Sequence, residues 1–438
     1  MFRPIPASAV SFMLLASLAG QASAQPPRIT NGRVTARPAG SPLAPSFRDL
    51  VASQTDVTWI GYSAPAVDGE RTMCCFSSGS VQVSGSAIVS DGRACCAGCR
   101  LEPSDNRNLA APPPQAAAGP VQLEASSRLS VLFRVVERQV ERIRVFSNDC
   151  ELDAGGRPVV WLENVQPADS VALLESFVAA GADRGSRVVD GAVSAIALHA
   201  DTAADASLER MIAPSQPVAV RKKVTFWLGN ARGARGLALL RSVLRDDPSM
   251  DVRRSAVFGV SQSREPDAFD VLATLARQDP EPRIRSEAVF WLAQHGDSRA
   301  QKVILEALDK DDSSEVRKKA VFALGQLRDN AGVEALIRIA RSHADPATRG
   351  EAIFWLGQKA GAQASAAITE RIAQDPDTEV KKRAVFALSQ LPPDKGVPLL
   401  IEVARTHANP AVRKQAMFWL AQSKDKRALD FFAEVLSK

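Results

Sequence analysis

Val316–Gln326, VRKKAVFALGQ, is the stretch that decides the fold, because it recurs. In steps of 32 residues the same register gives VRKKVTFWLGN from Val220, VRRSAVFGVSQ from Val252 and IRSEAVFWLAQ from Ile284. It continues as TRGEAIFWLGQ from Thr348, VKKRAVFALSQ from Val380 and VRKQAMFWLAQ from Val412. Seven copies keep the step without an insertion. A fixed period of this length marks a stack of supersecondary units, none of which can bury its apolar face alone.

With the leading Val, Ile or Thr counted as position zero, apolar residues fall at zero, four, five and eight: Val316, Ala320, Val321 and Leu324 in the quoted copy. That spacing is one stripe of an amphipathic helix. Asp247-Pro248, Asp279-Pro280 and Asp375-Pro376 precede three of the copies, Asp suiting the N-cap and Pro the first turn. A short loop such as Arg328-Asp329-Asn330 follows, and Val333–Ile339 (VEALIRI) supplies a second stripe. Each unit is therefore expected to be a helix pair, and stacked pairs share a continuous core beneath a concave face. Val188–Leu198 is a weaker copy that keeps Val188, Ala192 and Ile196 but has Ser194 and Ala195 at the aromatic positions. Ala168–Ala180 adds one more helix ahead of it. Terminal units of a stack are expected to be atypical.

The pattern D-P-x-x-x-V-[RK]-x-x-A-x-x-A-L-[GS], clearest in Asp375–Ser389, resembles the HEAT-repeat family, in particular the short HEAT-like repeats of phycobilisome-lyase-type proteins. The resemblance covers Ala168–Lys438. It implies a mainly α fold, an α-solenoid of HEAT-like helix pairs, and a scaffold role. Such scaffolds serve many functions. The relatives include chromophore lyases and an iron-dependent deoxyhypusine hydroxylase, and the second of these would imply paired His-Glu iron ligands. His199, His295, His343 and His407 are the four histidines, and none is followed by Glu.

Within the repeat, position seven alternates: Trp227, Gly259, Trp291, Ala323, Trp355, Ala387, Trp419. The true unit is thus a pair of repeats, 64 residues long, and His343 and His407 obey the same spacing. Large-against-small packing explains the alternation, with an exposed Trp row as the alternative. Position six is Phe throughout: Phe226, Phe258, Phe290, Phe322, Phe354, Phe386 and Phe418. At ~100° per residue it lies about 160–200° from the apolar centre of its helix. Position two on that face is often basic (Lys222, Arg254, Lys318, Lys382, Lys414). Position ten is Asn230, Gln262, Gln294, Gln326, Gln358, Gln390 and Gln422. An exposed apolar stripe marks an interaction surface. The alternative is Phe packed sideways between repeats beside a Gln ladder. Position one is Arg or Lys (Arg221, Arg253, Arg285, Arg317, Arg349, Lys381, Arg413), with Asp six residues earlier in several copies. An Arg–Asp ladder between repeats is expected there, and a basic groove for an acidic partner is the alternative.

Residues 1–24 have the form of a secretory signal: Arg3, the apolar Ala9–Ala19, and Ala22-Ser23-Ala24 as the cleavage site, leaving Gln25 first. The apolar run is too short to span a bilayer, so no membrane insertion is expected after cleavage. A periplasmic or secreted location follows. Residues 25–45 are rich in Pro, Gly, Ala and Ser, the composition of a disordered tether. Residues 46–166 are expected to form a small antiparallel β-rich domain. Its strands would be Val57–Tyr62, Thr72–Phe76, Val81–Val89, Leu129–Val136, Val140–Phe146 and Val159–Leu162, with a turn at Asp153–Gly156 and a loose linker at 100–120. Alternation in Leu129–Val136 and Val140–Phe146 suits strands with one wetter face.

That region holds all six cysteines: Cys74, Cys75, Cys95, Cys96, Cys99 and Cys150. Six cysteines in an exported domain point to disulfides of undetermined connectivity. A zinc site from Cys75 or Cys74 with Cys96 and Cys99 is the alternative, as is a redox pair of Cys96 and Cys99. The net charge of +5 over 438 residues excludes the strongly basic footprint of a nucleic-acid binder. No nucleophile elbow, P-loop, zinc-protease or dinucleotide motif occurs, so no catalytic or cofactor residue is assigned. The leading expectation is a non-catalytic exported scaffold that binds a protein or peptide in the cell envelope. The alternatives are an enzyme of the lyase or hydroxylase type, and a structural or sensory protein that binds through its β domain.

Overall fold

The computed structural model describes residues 26–68, 99–102, 127–181, 187–359 and 362–437. They fall into two units, Met1–Leu173 and Leu174–Lys438, so that the division lies a few residues beyond the start of a helix at Pro167.

The first unit contains β1 (Ile29–Thr30), β2 (Arg33–Pro38), α1 (Leu43–Ala52), β3 (Thr58–Pro65), β4 (Cys99–Arg100), β5 (Arg128–Val136), β6 (Gln139–Ser147), β7 (Leu152–Asp153) and β8 (Pro158–Glu163). Five strands form one sheet in the order β2-β8-β3-β5-β6, and β1-β7-β4 form a small parallel ladder. Strand β5 pairs antiparallel with β3 and β6, but β8 runs parallel to both β2 and β3. The sheet is therefore mixed, not antiparallel as the sequence led us to expect. Leu129–Phe133 is buried on both faces, so the wetter face expected of this strand is absent there. On one side Phe47 of α1 meets Phe133 edge-on at 4.7 Å. On the other, Trp59, Leu132, Phe146 and Val159 pack with Leu101, Cys150 and Leu152. Gly61 is required in β3, because a Cβ there would lie 2.9 Å from the Trp161 ring.

Two further expectations fail in this unit. Residues 26–45 carry β1, β2 and the start of α1, where a tether was expected. Every side chain of β2 is exposed, so the strand is held by backbone pairing to β8 and leaves no apolar signature. Arg100–Glu102 is not linker either. Leu101 is fully buried, and Glu102 accepts from Arg134 (2.8 and 2.9 Å) and from the Trp59 indole (2.8 Å). Burial pushes the Glu102 carboxyl up, but those hydrogen bonds hold it below its ordinary value. Cys150 is buried and disulfide-bonded. Cys74, Cys75, Cys95 and Cys96, the expected strands at 72–76 and 81–89, and the signal segment lie outside the described residues, and Cys99 enters only as backbone of β4.

Beyond the sheet the chain is helical. It opens with α2 (Pro167–Gly181), α3 (Arg187–Leu198) and α4 (Thr202–Ile212). Then come α5 (Val218–Ala231), α6 (Gly233–Asp246), α7 (Met250–Gln262), α8 (Ala268–Gln278), α9 (Pro282–His295) and α10 (Ala300–Lys310). The series ends with α11 (Ser314–Gln326), α12 (Val333–Ser342), α13 (Pro346–Lys359), α14 (Ala362–Gln374), α15 (Thr378–Ser389), α16 (Pro393–Thr406), α17 (Pro410–Gln422) and α18 (Lys426–Leu436). Odd-numbered helices from α5 carry the quoted motif, and α3 packs on α5 as the atypical first copy. Positions zero, four, five and eight are buried in copy after copy, as in Val316, Ala320, Val321 and Leu324. Neighbouring odd-numbered helices lie closely against each other, whereas neighbouring even-numbered ones touch sparingly. The odd row is therefore the tighter, inner side of a curved stack. A close approach within it is at Gly229, where a Cβ would sit 1.8 Å from the Gly259 carbonyl oxygen.

The Arg–Asp ladder is present, with a division of labour the motif did not announce. Each Asp precedes the helix by two or more residues and is not its N-cap. Its carboxylate accepts from the backbone two residues on, as in Asp247 to Ser249 N (2.8 Å) and Asp375 to Asp377 N (2.9 Å). It also takes the arginine of the preceding repeat. Arg221 pairs with Asp247, Arg253 with Asp279, Arg285 with Asp311 and Arg349 with Asp375. Arg349 additionally donates to the carbonyls of His343 and Ala344, so one guanidinium ties two turns together. The planar fork of arginine suits this use. At His343 and His407 the ring Nδ1 replaces the carboxylate as acceptor for Asp345 N (3.1 Å) and Asn409 N (3.0 Å).

Candidate functional site

The inner row of helices is where the sequence concentrates unusual residues. Position six points away from the core, yet adjacent inner helices approach closely enough for the rings to meet. Phe226 and Phe258 stack with centroids 5.8 Å apart, Phe290 and Phe322 at 5.8 Å, and Phe354 and Phe386 at 6.1 Å. The indoles bridge one stacked pair to the next: Phe258 to Trp291 at 4.7 Å, Phe322 to Trp355 at 4.9 Å, Phe386 to Trp419 at 4.9 Å. Each of these indoles also touches the Phe before it in sequence. The result is a ladder of eleven rings in unbroken contact from Phe226 to Trp419.

The rings pack between repeats, and they also keep a face to solvent. Six are half-buried, and Phe418 is 52% exposed. The half-buried Trp355 ring lies 3.1 Å from where a Cβ on Gly325, at position nine of the preceding copy, would stand, so this indole packs on a small residue between repeats. The Gln row is different. Gln294, Gln358, Gln390 and Gln422 are exposed, and Gln262 and Gln326 are half-buried. Gln262 and Gln390 donate to Ser261 and Ser389 of their own helices. Among the described residues no hydrogen bond joins one Gln of the row to the next, so there is no Gln ladder. Lys319 holds its ammonium 5.5 and 5.3 Å from the Phe290 and Phe322 rings. Lys319 stands at position three, which holds Lys in only two of the seven copies and so carries no repeated signal in the sequence.

A hollow of about 230 Å³ opens near the last rung. Leu391, Val397, Leu400 and Trp419 line it, with Gln390 and Gln422 beside them. The Trp419 indole N–H is buried and has no acceptor among the described residues. Trp355, its counterpart one double repeat earlier, donates to Glu351 at 3.0 Å. Among the described residues no group of three or more His, Cys, Asp or Glu is placed to hold a metal ion, and no helix is long and apolar enough to cross a membrane.

The model for HEAT repeats matches residues 204–290, 274–357, 333–403 and 365–438, which together exceed half the chain. The chain belongs to the HEAT-repeat family. No curated protein matches it by sequence. Among solved structures its HEAT stack is similar to YibA of E. coli, at 20% identity over 53% of this chain and 86% of that one, TM-score 0.34. Human deoxyhypusine hydroxylase in complex with glycerol shares 18% identity over 61% and 97%, TM-score 0.25. The CpcE–CpcF complex of phycocyanin lyase from Nostoc sp. PCC7120 shares 15% over 52% and 92%, TM-score 0.29. Overlaps this loose say nothing about activity.

Proposed function

We propose that the protein is a binding scaffold that holds a polypeptide partner along the inner face of its HEAT solenoid, outside the cytoplasm. The ladder of eleven rings carries this reading. A core would enclose such rings completely. Here they keep a solvent face, flanked by exposed amides and lysines, as in an interface with aromatic anchors and a polar rim. The even-numbered row offers a contrast. Its regular features are ion pairs between repeats, Arg277 with Glu306, Arg341 with Glu370 and Arg405 with Glu434, which serve the stack itself. Support for export comes from Arg3, the apolar Ala9–Ala19 and Ala22-Ser23-Ala24, and from the disulfide at Cys150.

The test is affinity capture from the host envelope, with partners identified and rebound in purified form. Wild type is compared with Phe258→Ala/Phe322→Ala/Phe386→Ala and, because that variant loses packing, with the exposed set Gln294→Glu/Gln358→Glu/Gln390→Glu. The expected result is one purified polypeptide that rebinds wild type and is lost by both variants. Equal rebinding by either variant in its folded state, shown by circular dichroism, overturns the reading. An N-terminus other than Gln25 on the exported protein overturns the cleavage assignment.

A further inference from the structure

We propose that the occupant of the inner face is an acidic peptide segment in polyproline-II conformation; this deepens the scaffold reading and rests on it. Charge is the first argument. Positions two and three of the seven copies hold eight lysines or arginines against two glutamates, Glu287 and Glu351. Three of the cations form ion pairs, Arg254 with Glu287, Lys223 with Asp190 and Lys382 with Glu379, while Arg383 donates to the Ala347 carbonyl and Lys319 lies over the Phe290 and Phe322 rings. Lys222, Lys318 and Lys414 are exposed and form no ion pair among the described residues. A row of solvated cations beside aromatic rings complements acidic side chains on the ligand.

Spacing is the second argument. Packed helices lie ~8–10 Å apart. A polyproline-II turn takes three residues at ~3.1 Å each, about 9 Å. Successive turns therefore present the same side to successive inner helices, whose Phe rings are drawn together in pairs 5.8–6.1 Å apart, so that two turns span the two helices of one ring pair. A β-strand repeats its facing every two residues, about 7 Å, and drifts out of register. A third argument is hydrogen bonding. Polyproline II has no internal backbone bonds, so its carbonyls are free to accept from side-chain amides. Gln294, Gln358, Gln390 and Gln422 offer one amide per inner helix at four of the seven positions, each able to donate and accept. The hollow at Trp419 suits one apolar side chain. Aromatic grooves take proline-rich segments with little ordering cost.

The experiment titrates the purified full chain with three labelled peptides, each of about six triplets: Pro-Pro-Glu, Gly-Ser-Glu and Pro-Pro-Lys. Fluorescence anisotropy is the readout. Saturable binding of the Pro-Pro-Glu peptide is expected, about tenfold or more tighter than Gly-Ser-Glu, with none for Pro-Pro-Lys. Lys222→Glu/Lys318→Glu/Lys414→Glu should weaken it by about tenfold or more while leaving the circular dichroism spectrum unchanged. Equal binding of the two acidic peptides overturns the conformational claim, and binding of Pro-Pro-Lys overturns the charge claim. If no peptide binds but ladder variants still lose the captured partner, this inference fails and the scaffold reading stands. If ladder variants retain the partner, both fail.

Discussion

Asp375→Asn removes one charge from a pair that the stack has almost completely dried. The Asp375 side chain is 0% exposed and that of Arg349 8%, joined by two hydrogen bonds of 2.8 Å. Asparagine keeps an oxygen for Asp377 N, so the turn survives and the loss isolates the ion pair. Removing one partner of a buried pair costs about 3–5 kcal/mol, because the other charge stays buried and unpaired. In a stack each repeat contacts only its neighbours, so the cost falls on the repeats beyond the break. Native-state hydrogen exchange should show α15–α18 opening about a hundredfold or more faster, with α5–α8 little changed. Adding Arg349→Met should recover part of the loss, since it removes the unpaired buried charge while the His343 and Ala344 carbonyls lose their donor. Protection in α15 and α17 within about threefold of wild type would refute the reasoning, as would an equal loss in α5.

The same pair sets a pH dependence. Burial alone would raise the Asp375 carboxyl; Arg349 and the Asp377 N–H outweigh it, and the group lies below its ordinary 3.8. Asp311 is held down in the same way by Arg285 and the Ser313 N–H. With a folded value below the unfolded one, the unfolded chain binds more protons. The contribution to stability is complete above the ordinary carboxylate range and is lost as pH falls through the depressed folded value. Asp375→Asn should therefore flatten the acid limb of the stability profile; an unchanged slope contradicts the assignment.

Three further predictions concern other parts of the molecule. Tyr62 is the sole tyrosine, and burial pushes its phenol well up while Ser170 donates to it at 2.9 Å. Absorbance at alkaline pH should show no phenolate until the first unit unfolds, and the stability lost above the ordinary value of 10 should disappear in Tyr62→Phe. Gly61→Ala forces a Cβ against Trp161 and should lower the stability of the first unit by about 1–3 kcal/mol in a urea titration. Phe322→Ala removes a half-buried ring that stacks on Phe290 and touches Trp355, and should cost about 1–2 kcal/mol, read by tryptophan fluorescence.

The solenoid is legible in sequence because each of its layers recurs. Val316, Ala320, Val321 and Leu324 return every 32 residues, and the Arg–Asp spacing announces a contact between repeats. Position six was harder. An angle on one helix places Phe322 on the polar side, but its burial depends on how near the next inner helix comes, which one helix does not encode. The β unit was less legible for different reasons. Residues Leu129–Phe133 are covered on both faces, which weakens the two-residue period. Strand β2 buries nothing and shows no period at all. Helix α1 was missed although Leu43, Phe47, Leu50 and Val51 stand at helical spacing, because Pro42 and Pro45 made the segment resemble a tether. The parallel pairing of β8 joins residues about a hundred apart, and no local signal carries it.

The central claim is that the inner ladder holds the partner, and site-specific photo-crosslinking tests it most directly. Phe322 on α11 and, separately, the exposed Lys302 on α10 are replaced by p-benzoylphenylalanine, and each protein is irradiated with its purified partner. The account predicts a crosslinked polypeptide from position 322 and none from position 302. Crosslinking from 302 alone, or from neither while the partner stays bound, would contradict it.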